Sequence, residues 1–292
     1  MNLIRNLPGP LLIFLGALSL STGGLIVKSF EGATLWQILF WRSLFFSLTV
    51  LTFLILSYKK KTLEAFYTSG LIGVFGGIIL SFGFCGYVFA MYNTTVANTN
   101  FIISLQIIFL AIFGFFFLKE KITTLTLFSI ILALSGVLLM VGNSLTPGEL
   151  TGNLAAFTMP ITFAVLIMII RKFPNVDMVP AQFIAGLSSC LIGFLLSTKI
   201  LISPHDIFLG FLAGFFQVGF GFIFITIGAR STPSAMVGII MLSESVLGPI
   251  WAFLFVSERP SIYGLIGGAI ILSAVLLQFY SLLGKGKKSI SH

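Results

Sequence analysis

Apolar runs of about twenty residues recur along this chain, separated by breaks of only a few residues. Runs of that length match a helix crossing the hydrocarbon core of a bilayer. Lipid offers no water to bare backbone polar groups, so a chain patterned this way has to be helical at membrane depth. Composition excludes a soluble alternative. Of 292 residues 58% are hydrophobic, with 33 Phe, and only 8% are charged. A soluble domain of this size cannot hide that much apolar surface.

Ten spans are expected, at about 11–29, 36–57, 69–91, 96–118, 124–142, 151–170, 179–198, 207–228, 234–256 and 261–283. The breaks are short enough that neighbouring spans run antiparallel. The longest are 58–68, with Lys59, Lys60 and Lys61, and 143–150, with Pro147 and Gly148. With the N-terminus placed inside, inner segments carry twelve Lys and Arg, among them Arg5, Arg171, Arg230 and Lys288. Outer segments carry three: Lys28, Lys199 and Arg259. That bias places both termini in the cytoplasm. The expected location is the cytoplasmic membrane, as in a bacterial inner membrane. The formal charge of +8 is thereby a topology signal, and no nucleic-acid partner is expected. No cleavage site follows the first apolar run, which is expected to stay as a helix. Cys85 and Cys190 lie in apolar runs without metal spacing and read as core residues.

Displacing the chain by 138 residues exposes an internal repeat. Gly76 then meets Gly214, Phe82-Gly83-Phe84 meets Phe220-Gly221-Phe222, Thr94 and Ala97 meet Thr232 and Ala235, and Glu120 meets Glu258. Two repeats are expected, 1–143 and 151–284, with a linker at 144–150 and a basic tail at 285–292. Five spans per repeat is an odd number, so the second copy enters the membrane from the opposite side. The expected fold is therefore an all-α polytopic membrane protein of ten transmembrane helices, arranged as two inverted five-helix repeats around a central cavity. Gly73–Gly77 and Gly210–Gly214 are small-xxx-small pairs that let helix backbones approach closely.

The stretch Ser234–Glu258 carries a carboxylate, Glu244, in the middle of an otherwise apolar span, with Pro249 five residues later. A charge at membrane depth costs roughly 2.5–3.5 kcal/mol on insertion scales and is rarely kept without a use. Apart from loop charges, the ionisable groups at membrane depth are Glu244 and Arg42. Each requires a partner, a water-filled cavity or neutralisation. Glu244 is suited to binding a solute's cationic group and a coupling proton in turn; holding the two halves in register is the plainer use. Arg42 either grips a solute carboxylate or snorkels to the interface, and the sequence supports both equally. Together the two would suit a zwitterion.

Gln106 occupies the repeat position of Glu244, and Asn100 lies near the outer end of the fourth span, with Asn98 beside it. These amides are candidate cavity hydrogen-bonders, with hydrogen bonding between helices of the bundle the equal alternative, and Ser243 next to Glu244 is a further candidate. Trp251, seven residues after Glu244 and so on nearly the same helix face, is a candidate cavity wall. Pro249 and Pro160 lack an N–H and would free the carbonyls of Ser245 and Ala156, bending two helices at the cavity.

These features resemble the drug/metabolite transporter superfamily in its EamA-type branch. The marks are Arg42 in FWRSLFF, the stretch Phe89–Ala97 (FAMYNTTVA), and Leu242–Pro260 (LSESVLGPIWAFLFVSERP), which looks like that branch's Glu-x-x-x-x-Pro-x-Trp pattern followed by Glu-x-Pro. The resemblance covers about 11–283. It implies ten helices around a central cavity, alternating access and movement of small metabolites, without naming a substrate. The first half departs from the pattern, with no Pro after Lys119-Glu120-Lys121 and Gln106 where the second half has Glu244.

The expected function is a secondary active transporter of a small polar or amphipathic metabolite, amino acid or amine-like, with a coupling proton as a candidate partner. A passive channel or a lipid- or drug-flipping protein is the alternative. An intramembrane enzyme is disfavoured. No span holds an Asp, His205 and His292 lie outside the spans, and no base stands near a membrane Ser. No phosphate-cradling loop marks a primary pump. No cofactor and no metal are expected.

Overall fold

A computed structural model describes residues 7–94, 96–141, 150–256 and 262–289. Arg5, Thr95, all of the expected linker except Leu150, and Glu258 to Pro260 lie outside the described residues. Those described are helical or in short turns, with no strand among them. Six helical stretches are long and apolar enough to cross a membrane, and three shorter apolar helices, Thr124–Leu139, Ser234–Gly248 and Leu265–Leu277, accompany them.

The chain opens with α1 (Gly9–Leu20) and the short α2 (Gly23–Lys28), followed by α3 (Leu35–Tyr58). A capping box begins α3, the Thr34 and Gln37 side chains each serving the other's backbone. Three consecutive lysines end it in a tight turn, where Lys59 takes a positive φ of 52°. Next come α4 (Thr62–Asn93), α5 (Val96–Ser104), α6 (Gln106–Leu118) and α7 (Thr124–Val141). After the described gap follow α8 (Leu150–Ala156), α9 (Thr158–Lys172) and α10 (Val179–Leu196). Then α11 (Pro204–Phe211) runs through a π-helical stretch, Leu212–Phe220, into α12 (Gly221–Gly228). The last elements are α13 (Ser234–Met241), α14 (Ser243–Val256) and α15 (Ile262–Ser289).

Packing is inside-out relative to a soluble protein. Leu71, Phe75, Phe82, Phe116, Leu195 and Leu254 are exposed, while Arg42, Gln106, Gln182 and Gln217 are buried. Lipid accepts the first set, and the bundle interior must satisfy the second. The chain is accordingly an integral membrane protein.

The main core is assembled from both sides of the gap at 142–149. Helix α10 packs on α3 and α4, α9 on α4 and α6, α12 on α1, and the π-helical stretch on α3. Phe222 of α12 is the hub, with Phe84, Phe163 and Phe46 rings edge-on to it at 5.1, 6.1 and 6.3 Å. Such edge-to-face pairs add about 0.5–1.5 kcal/mol each beyond burial. Both glycine pairs work by close approach. A Cβ on Gly214 would lie 2.3 Å from the Arg42 carbonyl oxygen, and one on Gly77 2.6 Å from that of Ala181.

Two helices break in the same way. Between α5 and α6 the chain tightens at Leu105, and between α13 and α14 it tightens at Leu242, each through i to i+3 backbone bonds. The breaks are 137 residues apart, within one residue of the repeat. Hydroxyls accompany both: Ser104 donates back to the Asn100 carbonyl at 2.8 Å and Ser243 to that of Ile240 at 2.6 Å. Such back-bonding bends helices. The backbone is helical from Ser243 to Val256 and so runs through position 249, placing the break before Glu244. A third break, at Phe157, separates α8 from α9. It leaves Pro160 in the first turn of α9, where a missing N–H has no helical partner to lose.

Each end of the bundle is tied. At one end Asp206 accepts the backbone N–H groups of Glu31 and Gly32 at 3.1 and 3.3 Å, and Trp41 Nε1 donates to the Ile200 carbonyl at 2.9 Å. At the other, Glu120 pairs with Arg171, Arg230 pairs with Asp177, and Tyr58 donates to Asp177.

Candidate functional site

The breaks place two polar side chains at the same point of two helices. Gln106 is the first residue of α6 and Glu244 the second of α14. A helix start has unpaired N–H groups and a partial positive charge, which favours polar or anionic side chains there even within an apolar bundle.

Both side chains line a cavity between the packed helices. Its other polar members are Arg42 from α3, Tyr87 from α4 and Gln217 from the π-helical stretch. The apolar wall includes Leu20, Met159, Phe163, Val218, Phe222 and Met241. The space is about 30 Å³, enough for a water-sized occupant. Sites that hold drug-sized ligands run to about 300–1,000 Å³, so a metabolite enters only if the helices part.

Arg42 is 3% exposed, so it does not snorkel. Its guanidinium lies 5.3 Å from the Phe84 ring centre and 5.1 Å from that of Tyr87. Ring faces offset part of the cost of a buried cation, at about 2 kcal/mol where water is excluded. Its Nη1 has no hydrogen-bond partner among the described residues. No ion pair joins Arg42 to Glu244 among the described residues, although both face the same space. A buried donor left unmatched beside an unpaired carboxylate is costly for stability alone.

Gln106 is 4% exposed and completes this side of the cavity. The remaining expected site residues stand elsewhere. Trp251 Nε1 donates to Ser21 Oγ at 2.7 Å, tying α14 to the end of α1 outside the cavity lining. Ser243 is fully buried with its hydroxyl on the Ile240 carbonyl. Asn100 is placed one turn before Ser104, whose hydroxyl its carbonyl accepts. Pro160 lies between two lining residues, Met159 and Phe163, so its helix break belongs to the cavity wall.

Tyr87 and Gln217 are cavity residues that carry no charge at neutral pH and so do not stand out among the charged groups at membrane depth. The available signal was polarity alone: each interrupts an otherwise apolar run.

The sequence model of the EamA-like transporter family matches residues 7–142 and again 146–280, once per half. A curated relative from Methanothermobacter thermautotrophicus, described as an uncharacterized transporter, is 25% identical over 207 residues. That alignment takes in 65% of this chain, and the chain spans 58% of the relative's length. A crystal structure superposes with a TM-score of 0.78 at 20% identity, over 92% of this chain and 96% of the other, and shows the same fold.

Proposed function

The chain belongs to the EamA-like transporter family, and on that premise we propose that it is a secondary active transporter of small zwitterionic or amine-bearing metabolites. It works by alternating access about a cavity between two inverted five-helix repeats, in a cytoplasmic membrane with both termini inside. The observation that carries this reading is that Arg42 and Glu244, opposite in charge, line one buried cavity without pairing to each other. Arg42 receives the solute's carboxylate through its fork of N–H donors. Glu244 receives the cationic end and exchanges it for a proton, so that solute and proton alternate on one carboxylate. The odd number of spans per repeat and the matched breaks at Leu105 and Leu242 support the inverted arrangement.

The test is uptake into proteoliposomes of a panel of radiolabelled amino acids and simple amines, with and without an imposed proton gradient. Wild type is expected to accumulate at least one of them against its gradient. Glu244→Gln is expected to lose that accumulation. Gradient-driven accumulation by Glu244→Gln equal to wild type would remove the coupling role; no accumulation of any panel member by wild type would remove the carrier reading.

A further inference from the structure

Gln217 sits in the only π-helical stretch among the described residues. A π-helix bonds i to i+5, is rare, and recurs at functional sites. Here Ser19 Oγ donates to the Phe216 carbonyl at 2.6 Å. The stretch directs the Gln217 side chain into the cavity, where it is 3% exposed.

The orientation of that amide is constrained. The Gln217 amide and the Tyr87 hydroxyl lie together against Gly23 at the start of α2. The amide nitrogen packs on the backbone of α2, so close that a Cβ on Gly23 would fall 2.2 Å from Nε2 and 3.2 Å from the Tyr87 hydroxyl. A glycine at 23 is therefore what lets the amide lie there. With the amide held in this way, Oε1 has no hydrogen-bond partner among the described residues. Two residues that line the cavity thus each carry a buried polar atom without a partner among the described residues, Arg42 Nη1 as donor and Gln217 Oε1 as acceptor, and Glu244 lines the same space.

We infer that Gln217 is a specificity-determining residue, whose side-chain carbonyl accepts an N–H from a primary ammonium and so rejects solutes whose nitrogen is fully methylated. This inference rests on the transport reading above, but not on Glu244 alone. A carboxylate attracts any cation, whether or not it carries N–H groups. A buried amide carbonyl attracts only a donor, and a quaternary nitrogen would leave it desolvated and unpaired. Sites built to hydrogen-bond a group discriminate strongly against analogues that lack it.

The experiment measures dissociation constants of purified protein for two solute pairs, ethanolamine with choline and leucine with its N,N,N-trimethyl betaine. Wild type is expected to bind the primary amine of at least one pair about tenfold or more tighter. Gln217→Leu, close in size, is expected to bring the ratio to within about threefold, mainly by weakening the primary amine. Because steric exclusion persists in that variant, the lost portion reports the hydrogen bond. Gly23→Ala, which displaces the amide without altering its chemistry, is expected to lose it and serves if Gln217→Leu fails to fold. Equal binding of both members by wild type, or an unchanged ratio in both Gln217→Leu and Gly23→Ala, overturns the inference and leaves the transport reading standing. Binding of no amine in either pair overturns both.

Discussion

Glu120 and Arg171 form a two-contact ion pair in which Nε and Nη2 of the arginine both lie 2.8 Å from Oε1 of the glutamate. The other carboxylate oxygen accepts the backbone N–H of Ser234 at 2.8 Å, at the start of α13. Arg171 in turn donates to the Arg230 carbonyl at 3.1 Å. One carboxylate from the first half therefore anchors both the end of α9 and the beginning of the helix that leads to Glu244. This end of the bundle is the one that the Lys and Arg count places inside.

Removing Glu120 is expected to cost more than removing Arg171, because the carboxylate serves as ion-pair partner and helix cap at once. Arg171→Gln should lower stability by about 2 kcal/mol, the scale of a lost charged hydrogen bond. Glu120→Ala, which removes both carboxylate oxygens, should cost about 1 kcal/mol more, the usual worth of a cap. Denaturation of both variants in detergent micelles checks the order, and equal losses would show that the Ser234 contact contributes nothing.

Arg42 is expected to trade stability for binding. Its buried, incompletely paired guanidinium carries a desolvation cost that an apolar residue avoids. Arg42→Met should melt no lower than wild type, with a gain of up to about 2 kcal/mol, yet lose stabilisation by the transported solute. Arg42→Lys should keep the charge but weaken solute binding about tenfold, since an ammonium lacks the planar fork that stacks on Phe84 and Tyr87. A thermal-shift titration reads both; a large loss of stability in Arg42→Met would mark the arginine as structural.

Gly214→Val should be among the most damaging single changes. Its first side-chain atom would fall 2.3 Å from the Arg42 carbonyl oxygen and 2.6 Å from the Phe45 Cβ. Backbone cannot move aside there without separating the π-helical stretch from α3. A loss of about 3 kcal/mol or failure to accumulate in the membrane is expected. Quantifying folded protein after membrane extraction checks it, and a normal yield would show that these two elements slide freely.

Trp251 is expected to behave as a packing residue. Ser21→Ala removes the acceptor of its indole N–H and should cost about 1 kcal/mol. Solute affinity should stay within about twofold of wild type, as Trp251 lies off the cavity lining. Isothermal titration of the variant is the check, and a tenfold weakening would bring Trp251 back into the site.

The helical fold and the membrane setting were legible in the chain because both depend on runs of apolar residues, which need no knowledge of neighbours. Repetition at 138 residues equally belongs to the sequence, and the family model matches the chain twice, at 7–142 and 146–280. Glu244, Arg42 and Gln106 stood out for a related reason: a charge or amide at membrane depth is conspicuous wherever it points.

Where such groups point was decided only in three dimensions. Trp251 is seven residues from Glu244 and helically in phase with it, yet it bonds Ser21, because helix phase says nothing about which neighbour lies opposite. The breaks at Leu105 and Leu242 depend on local i to i+3 bonds and on back-bonding hydroxyls, which proline content does not reveal. Gln217 reaches the cavity from a π-helical stretch in which the neighbouring Phe216 carbonyl accepts from Ser19, 197 residues away. Sequence by itself determined what must be buried from lipid. Tertiary structure decided which buried polar atoms meet a protein partner and which, among the described residues, do not.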